Sequence, residues 1–287
     1  MYFAGMFLQE VKKQIEQQLA TVYDSDETKA ITNELILFYV DAENSAITPS
    51  INTQLQQAVG RLLNHEPLQY VLGEAWFYNL PFFVNNQVLI PRPETEELVD
   101  LIIREYQIPN KHKQLFSVLD IGTGSGCIPI ALKKNCPNAQ VYAMDISQNA
   151  LLLATKNAER NKVDITFFQG DILSSNVQSP ISNFQLIVSN PPYITEFEKA
   201  EMASNVLLHE PHLALFVSDG NPFQFYETIA AFASNHLTIG GALYVEINAV
   251  YGMGVKVCME TYGFNDVVII KDMSGNDRIV KGILYAP

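Results

Sequence analysis

Val118-Leu119-Asp120-Ile121-Gly122-Thr123-Gly124-Ser125-Gly126 reads as an apolar strand that runs into a glycine turn, and Cys127 to Asn135 continues it as a helix. A strand, a glycine turn and a helix N-terminus together let a ligand approach the backbone closely. Nineteen residues past Gly126, Asp145 ends the apolar run Gln140 to Met144. A carboxylate at that strand end can accept both hydroxyls of a ribose. Two cofactors fit such a layout. Dinucleotides usually take G-x-G-x-x-G, with the helix dipole facing a pyrophosphate. Here the spacing is G-x-G-x-G with Asp120 before it. An acid there repels a pyrophosphate and can help hold an α-ammonium group, which favours S-adenosylmethionine. A glycine turn without a ligand is the plain alternative.

Strands and helices alternate outward from this stretch. Strands are expected at Asp164 to Gln169, Phe184 to Ser189 and Ala242 to Ile247, and helices at Gln148 to Asn161, Gln224 to Asn235 and Val255 to Tyr262. Two further strands, Asp266 to Lys271 and Arg278 to Leu284, close the chain around a Gly275-containing turn. Such alternation predicts an α/β fold: a Rossmann-like, mostly parallel seven-stranded sheet with one antiparallel strand. Asp171 and Ile172 follow the third strand and are placed beside an adenine, an ordinary loop acid being the alternative.

Residues 1 to 72 carry helical periodicity instead. Phe7, Val11, Ile15 and Leu19 form one stripe, Leu35, Ile36, Tyr39 and Val40 a second, and Leu55, Val59, Leu62 and Leu63 a third. A small bundle of about three to five helices is expected here, its first helix starting within Met1 to Leu8. Residues 73–93 read as a β-hairpin linker, with short strands at Trp76 to Tyr78, Phe82 to Val84 and Val88 to Ile90. Residues 94–287 then form the catalytic domain, opened by a helix over Glu94 to Tyr106.

The fourth strand of the alternation stops at Asn190-Pro191-Pro192-Tyr193. Two prolines make the loop stiff and bias Asn190 away from the α region. A rigid loop at the carboxyl edge of the sheet thus presents an amide, carbonyls and an aromatic ring, a set suited to a planar NH2 group. Asn190 Oδ1 and the Pro191 carbonyl can accept the two hydrogens of such a group, while the Tyr193 ring stacks on its plane.

The 287 residues carry Asp+Glu 31 against Lys+Arg 18, a net charge of −13. That balance argues against a phosphate-tracking surface. Cys127, Cys136 and Cys258 are scattered, without metal or redox spacing, so no metal is expected and a reduced, cytoplasmic setting is. No run approaches the roughly 18 apolar residues of a membrane span.

With these residues in view, the chain resembles class I methyltransferases and, within them, the HemK-type release factor glutamine methyltransferases. Within Val88 to Glu96, Ile90-Pro91-Arg92-Pro93-Glu94-Thr95-Glu96 is the most family-specific piece; Val118 to Gly126, Val188 to Ile194, Glu210-Pro211 and Gly275 to Arg278 add to it. The resemblance implies S-adenosyl-L-methionine as cofactor, S-adenosyl-L-homocysteine as product, and methylation of the glutamine side-chain nitrogen in the Gly-Gly-Gln motif of class I peptide chain release factors. The cofactor set is then Asp120, Gly122, Thr123, Gly124, Ser125, Gly126, Asp145, Ile146, Asp171, Ile172 and Asn190. Asn190, Pro191, Pro192 and Tyr193 form the catalytic and substrate-binding loop. A monomer without direct nucleic-acid or membrane contact is expected. The family usually has Glu-Ile-Gly and a nearby Gln where Glu246-Ile247-Asn248 and Tyr251 stand here. Arg92, Glu94 and Glu96 read either as a domain-clamping ion network or as site contacts. The rival readings are an adenine N6-methyltransferase of DNA or RNA, which uses the same loop on a flipped base, and a glutamine methyltransferase of a ribosomal protein.

Overall fold

The computed structural model describes residues 6–40, 46–106 and 116–286. In chain order the elements are β1 (Met6–Phe7), α1 (Leu8–Leu19), α2 (Ser25–Tyr39), β2 (Ala46–Ile47), α3 (Pro49–Leu63), α4 (Leu68–Leu72), β3 (Glu74–Phe77), β4 (Leu80–Phe83) and α5 (Pro93–Tyr106). The alternating part follows as β5 (Phe116–Ile121), α6 (Cys127–Asn135), β6 (Ala139–Asp145), α7 (Gln148–Asn161), β7 (Thr166–Gln169), β8 (Phe184–Ser189) and β9 (Ile194–Thr195). Then come α8 (Ser204–His209), α9 (His212–Leu215), β10 (Phe216–Val217), α10 (Gln224–His236), β11 (Leu237–Glu246), α11 (Gly252–Thr261), β12 (Phe264–Lys271) and β13 (Asp277–Leu284).

Met1–Glu74 with Ala203–His209 form one compact unit, and Ala75–Met202 with Glu210–Pro287 form the other. In the first, the apolar stripes meet: Val11, Ile15 and Leu19 pack with Leu35, Ile36, Val40, Leu55, Val59 and Leu62. The first helix begins only at Leu8, because Met6–Phe7 is extended and pairs with Ala46–Ile47. The start expected within Met1 to Gly5, and the side chain of Phe7, lie outside the described residues. Asp24 caps α2 by accepting from the backbone N–H groups of Asp26 and Glu27 at 2.9 Å each.

The second unit is built on a seven-stranded sheet in the order β12-β13-β11-β8-β5-β6-β7. Strands β11, β8, β5, β6 and β7 run parallel, and β13 is antiparallel to both β11 and β12. The chain winds one way from β5 through β6 to β7, then returns to set β8 on the other side of β5. That reversal opens a crevice at the carboxyl ends of β5 and β8. Register fixes what faces it: Ile121 pairs with Ser189, so Gly122 and Asn190 leave the sheet side by side. The six residues of β5 are all buried, as a strand covered on both faces requires.

From Ala75 onward the β3–β4 hairpin falls in this second unit, where α7 holds it. Asn157 of α7 accepts from the Phe83 N–H at 2.6 Å and donates to its carbonyl at 3.0 Å, while Asn161 donates to the Pro81 carbonyl at 3.0 Å. Tyr78 and Asn79 both have positive φ, the geometry of a tight two-residue turn. Phe77 and Phe82 are buried edge to face at 6.1 Å, whereas Trp76 is exposed and Phe83 lies under the Arg160 guanidinium. The strand expected at Val88 to Ile90 does not form. The Ile90 N–H is taken by the Glu210 carboxylate at 3.2 Å and the Val88 N–H by the Asn85 carbonyl, so no ladder can run through them.

Candidate active site

Glycine and proline set the backbone of the site. Gly122, Gly124 and Gly126 all have positive φ, and a β-carbon on Gly126 would sit 3.0 Å from that of Ala154. The turn therefore closes onto α7 only with glycine at its last position. On Gly122 or Gly124 a β-carbon would meet no protein atom within 4 Å; both border open space. That space is a cavity of about 390 Å³, within the usual range for small-molecule sites.

Of the expected site residues, Gly122, Gly124, Asp145, Ile146, Asp171, Ile172, Asn190, Pro191 and Pro192 line the cavity. Asp120, Thr123, Ser125, Gly126 and Tyr193 do not. The carboxylate of Asp145 is tied to the glycine turn: it accepts from the Gly124 N–H and from the Ser147 N–H, each at 2.8 Å. Burial raises its pKa, and those backbone donors oppose the rise. Asp171 accepts from the Leu173 N–H at 2.9 Å, which ties the turn that carries Ile172.

Asp120 lies behind the turn, fully buried. Neither of its oxygens has a hydrogen-bond partner among the described residues, nor do the hydroxyls of Thr123 and Ser125. Burial pushes its carboxyl up to about 7, the Asp145 charge adds to this, and the nearby Thr123 hydroxyl opposes it without reaching hydrogen-bond geometry. A carboxylate so placed is short of a cation.

The Asn190 loop rests on residues far away in sequence. Asn190 Nδ2 donates to Thr95 Oγ1 at 3.0 Å, and Thr95 Oγ1 donates to Glu246 Oε2 at 2.7 Å. The Tyr193 hydroxyl donates to the other oxygen, Glu246 Oε1, at 3.3 Å. Glu246 is 1% exposed and Thr95 2%. Burial pushes the Glu246 carboxyl up to about 7, while the Thr95 hydrogen bond, the Arg278 charge and the Tyr193 hydroxyl pull the other way. The phenol of Tyr193 thus has a polar role beside its ring, which reading the loop alone missed. Thr95 and Glu246 were visible only as letters within longer motifs, because nothing local marks a residue whose partner is about 150 positions away.

Arg92 pairs with Glu210 at 2.6 Å, both residues belonging to this unit. Glu96 accepts from the Tyr78 N–H at 2.8 Å and so fixes the hairpin turn. At the positions where the chain departs from its motif, Asn248 donates to Glu198 at 2.9 Å and Tyr251 packs edge to face on Phe223 at 5.4 Å. Other cavity-lining residues, among them Gln87, Leu213, Phe225 and Ile229, come from three separate segments, the last two both from α10.

The chain is 43% identical to the release factor glutamine methyltransferase of Flavobacterium psychrophilum, over 96% of its own length and 99% of that protein's. It belongs to the release factor glutamine methyltransferase family. The corresponding protein of Bacteroides thetaiotaomicron is also 43% identical, over 93% of this chain and 96% of its own. The methyltransferase small domain model matches residues 106–221, which span the glycine turn, Asp145, Asp171 and the Asn190 loop. A solved methyltransferase from Pyrococcus furiosus superposes with a TM-score of 0.54 at 16% identity, covering 80% of this chain and 100% of its own, a likeness of fold. The mostly parallel α/β sheet expected from the strand and helix alternation, and the methyltransferase fold and family implied by the resemblance, are therefore borne out.

Proposed function

We propose that this chain transfers a methyl group from S-adenosylmethionine to the side-chain amide nitrogen of the glutamine in the Gly-Gly-Gln motif of class I release factors. The observation that carries this reading is the convergence of Asn190, Pro191, Gly122 and Asp145 on one cavity at the ends of adjacent parallel strands. The residues fit the cofactor. Gly122 and Gly124 leave room at the turn, and Asp145 offers a carboxylate for ribose hydroxyls. Asp171 and Ile172 line the cavity and are assigned to the adenine, and the carboxyl of buried Asp120, two residues before the turn, is assigned to the ammonium. When bound, the cofactor supplies an electrophilic methyl group on a sulfonium.

The protein's own work is orientation. An amide nitrogen is a weak nucleophile because its lone pair is delocalised. Asn190 spends its Nδ2 on Thr95, so its Oδ1 is left as an acceptor for one amide hydrogen, and the Pro191 carbonyl serves the other. Accepting both hydrogens fixes the amide plane and enriches the nitrogen, so that catalysis is mostly positioning and charge placement. No strong base is needed before transfer. The helical unit is assigned to gripping the release factor, with the chain acting as a cytoplasmic monomer.

The test is incubation with labelled S-adenosylmethionine and purified release factor, comparing Gly-Gly-Gln with its Gln→Ala variant. Label is expected on the first alone. Equal labelling of both would overturn the acceptor, and labelling of DNA or RNA instead would favour the adenine methyltransferase reading.

A further inference from the structure

We propose that Thr95 and Glu246 are positioning residues that lock the polarity of the catalytic amide; this rests on the glutamine-methylation reading above. A side-chain amide is nearly symmetric in shape, so shape alone does not decide whether Asn190 offers its oxygen or its NH2 to the cavity. Transfer to an NH2 group needs the oxygen there. An NH2 facing the substrate would set donor against donor.

The structure holds a relay that removes the ambiguity. Glu246, when ionised, can only accept. It receives the single hydroxyl proton of Thr95 at 2.7 Å and that of Tyr193 at 3.3 Å. Having given its proton away, Thr95 Oγ1 can only accept from its remaining neighbour. That neighbour is the Asn190 amide at 3.0 Å, which must turn its Nδ2 inward and its Oδ1 outward. Thr95 and Glu246 are both buried, so water cannot readily stand in for a lost partner. The three groups come from α5, the end of β11 and the turn after β8, and only the sheet edge brings them together. Neither residue is required to touch the reacting atoms.

The experiment compares wild type with Thr95→Val, Thr95→Ser and Glu246→Gln on release factor under labelled S-adenosylmethionine. Cofactor affinity is measured by calorimetry and folding by thermal denaturation. Valine keeps the shape of threonine but lacks the hydroxyl, so kcat should fall by about tenfold or more, the equivalent of one lost orienting hydrogen bond. KM for the release factor and cofactor affinity should stay within about twofold, since binding surfaces are untouched. Serine restores the hydroxyl and should restore most of kcat. Glutamine at 246 can turn either end of its amide to Thr95 and so no longer fixes the direction of the relay, and kcat should fall there in part.

Wild-type kcat in Thr95→Val, or a serine variant as impaired as the valine one, would overturn the relay. Should Thr95→Val fail to fold, Glu246→Gln decides alone, and unchanged kcat in it overturns the proposal. Wild-type labelling of the glutamine alongside unaffected variants removes only the relay. Absence of wild-type labelling removes the parent reading and the relay with it.

Discussion

Asp120→Asn should stabilise the ligand-free protein at neutral and alkaline pH while weakening its hold on S-adenosylmethionine. The carboxyl moves from an ordinary 3.8 to about 7 because it is fully buried and has no hydrogen-bond partner among the described residues. Its pKa is raised on folding, so the folded state binds the proton more tightly than the unfolded one. Its contribution is therefore most favourable below about pH 4 and is lost as pH rises through about 7. At about pH 8 the cost approaches roughly 4 kcal/mol, and at about pH 5 it is less than half of that. Asparagine removes the titration but leaves its own buried NH2, a cost of about 1–3 kcal/mol that does not vary with pH. The quantity to measure is thus the difference in unfolding free energy between variant and wild type, by urea denaturation at both pH values. That difference should shift in favour of the variant by about 2–3 kcal/mol on going from pH 5 to pH 8. Glu246 titrates in the same range but is common to both proteins and cancels. A shift of zero or of opposite sign would refute a strained buried carboxylate. Calorimetry should show weaker cofactor binding in Asp120→Asn, and equal affinity would remove the ammonium from its neighbourhood.

Asn190→Ala should abolish labelling of release factor while S-adenosylmethionine still binds; near-normal turnover would end the role given to Oδ1. Tyr193→Phe should lower kcat modestly, by severalfold, since Glu246 loses its second donor, and Tyr193→Ala should cost more because the ring packed against the core goes too. Identical rates for phenylalanine and tyrosine would confine Tyr193 to its ring. Asn157→Ala should destabilise the protein by about 2–3 kcal/mol in urea denaturation, since it leaves the Phe83 N–H and carbonyl and the Ser125 carbonyl without their partner. A change below about 0.5 kcal/mol would show that water replaces that amide.

Much of this could be read along the chain. The strand, glycine turn and helix over 117–135, the alternation that follows, and the stiff loop after Ser189 are written in local chemistry. Glycine allows positive φ, proline forbids a ladder, and buried strands are continuous apolar runs. The same local rules misled at Val88 to Ile90, where an apolar triplet looks like a strand. A carboxylate 120 residues downstream takes its N–H instead.

Sequence by itself determined the order of elements, the place of Asp145 and Asn190 at strand ends, and the family. Only the tertiary structure decided which partners these residues have. Thr95, Asn190 and Glu246 share one hydrogen-bond chain, Arg92 meets Glu210, and Asn157 joins the hairpin to the glycine turn. The physical reason is that dihedral preferences and periodicity act over a few residues. The partner of a buried polar group is set by sheet order and register, which bring together groups as far as 151 positions apart.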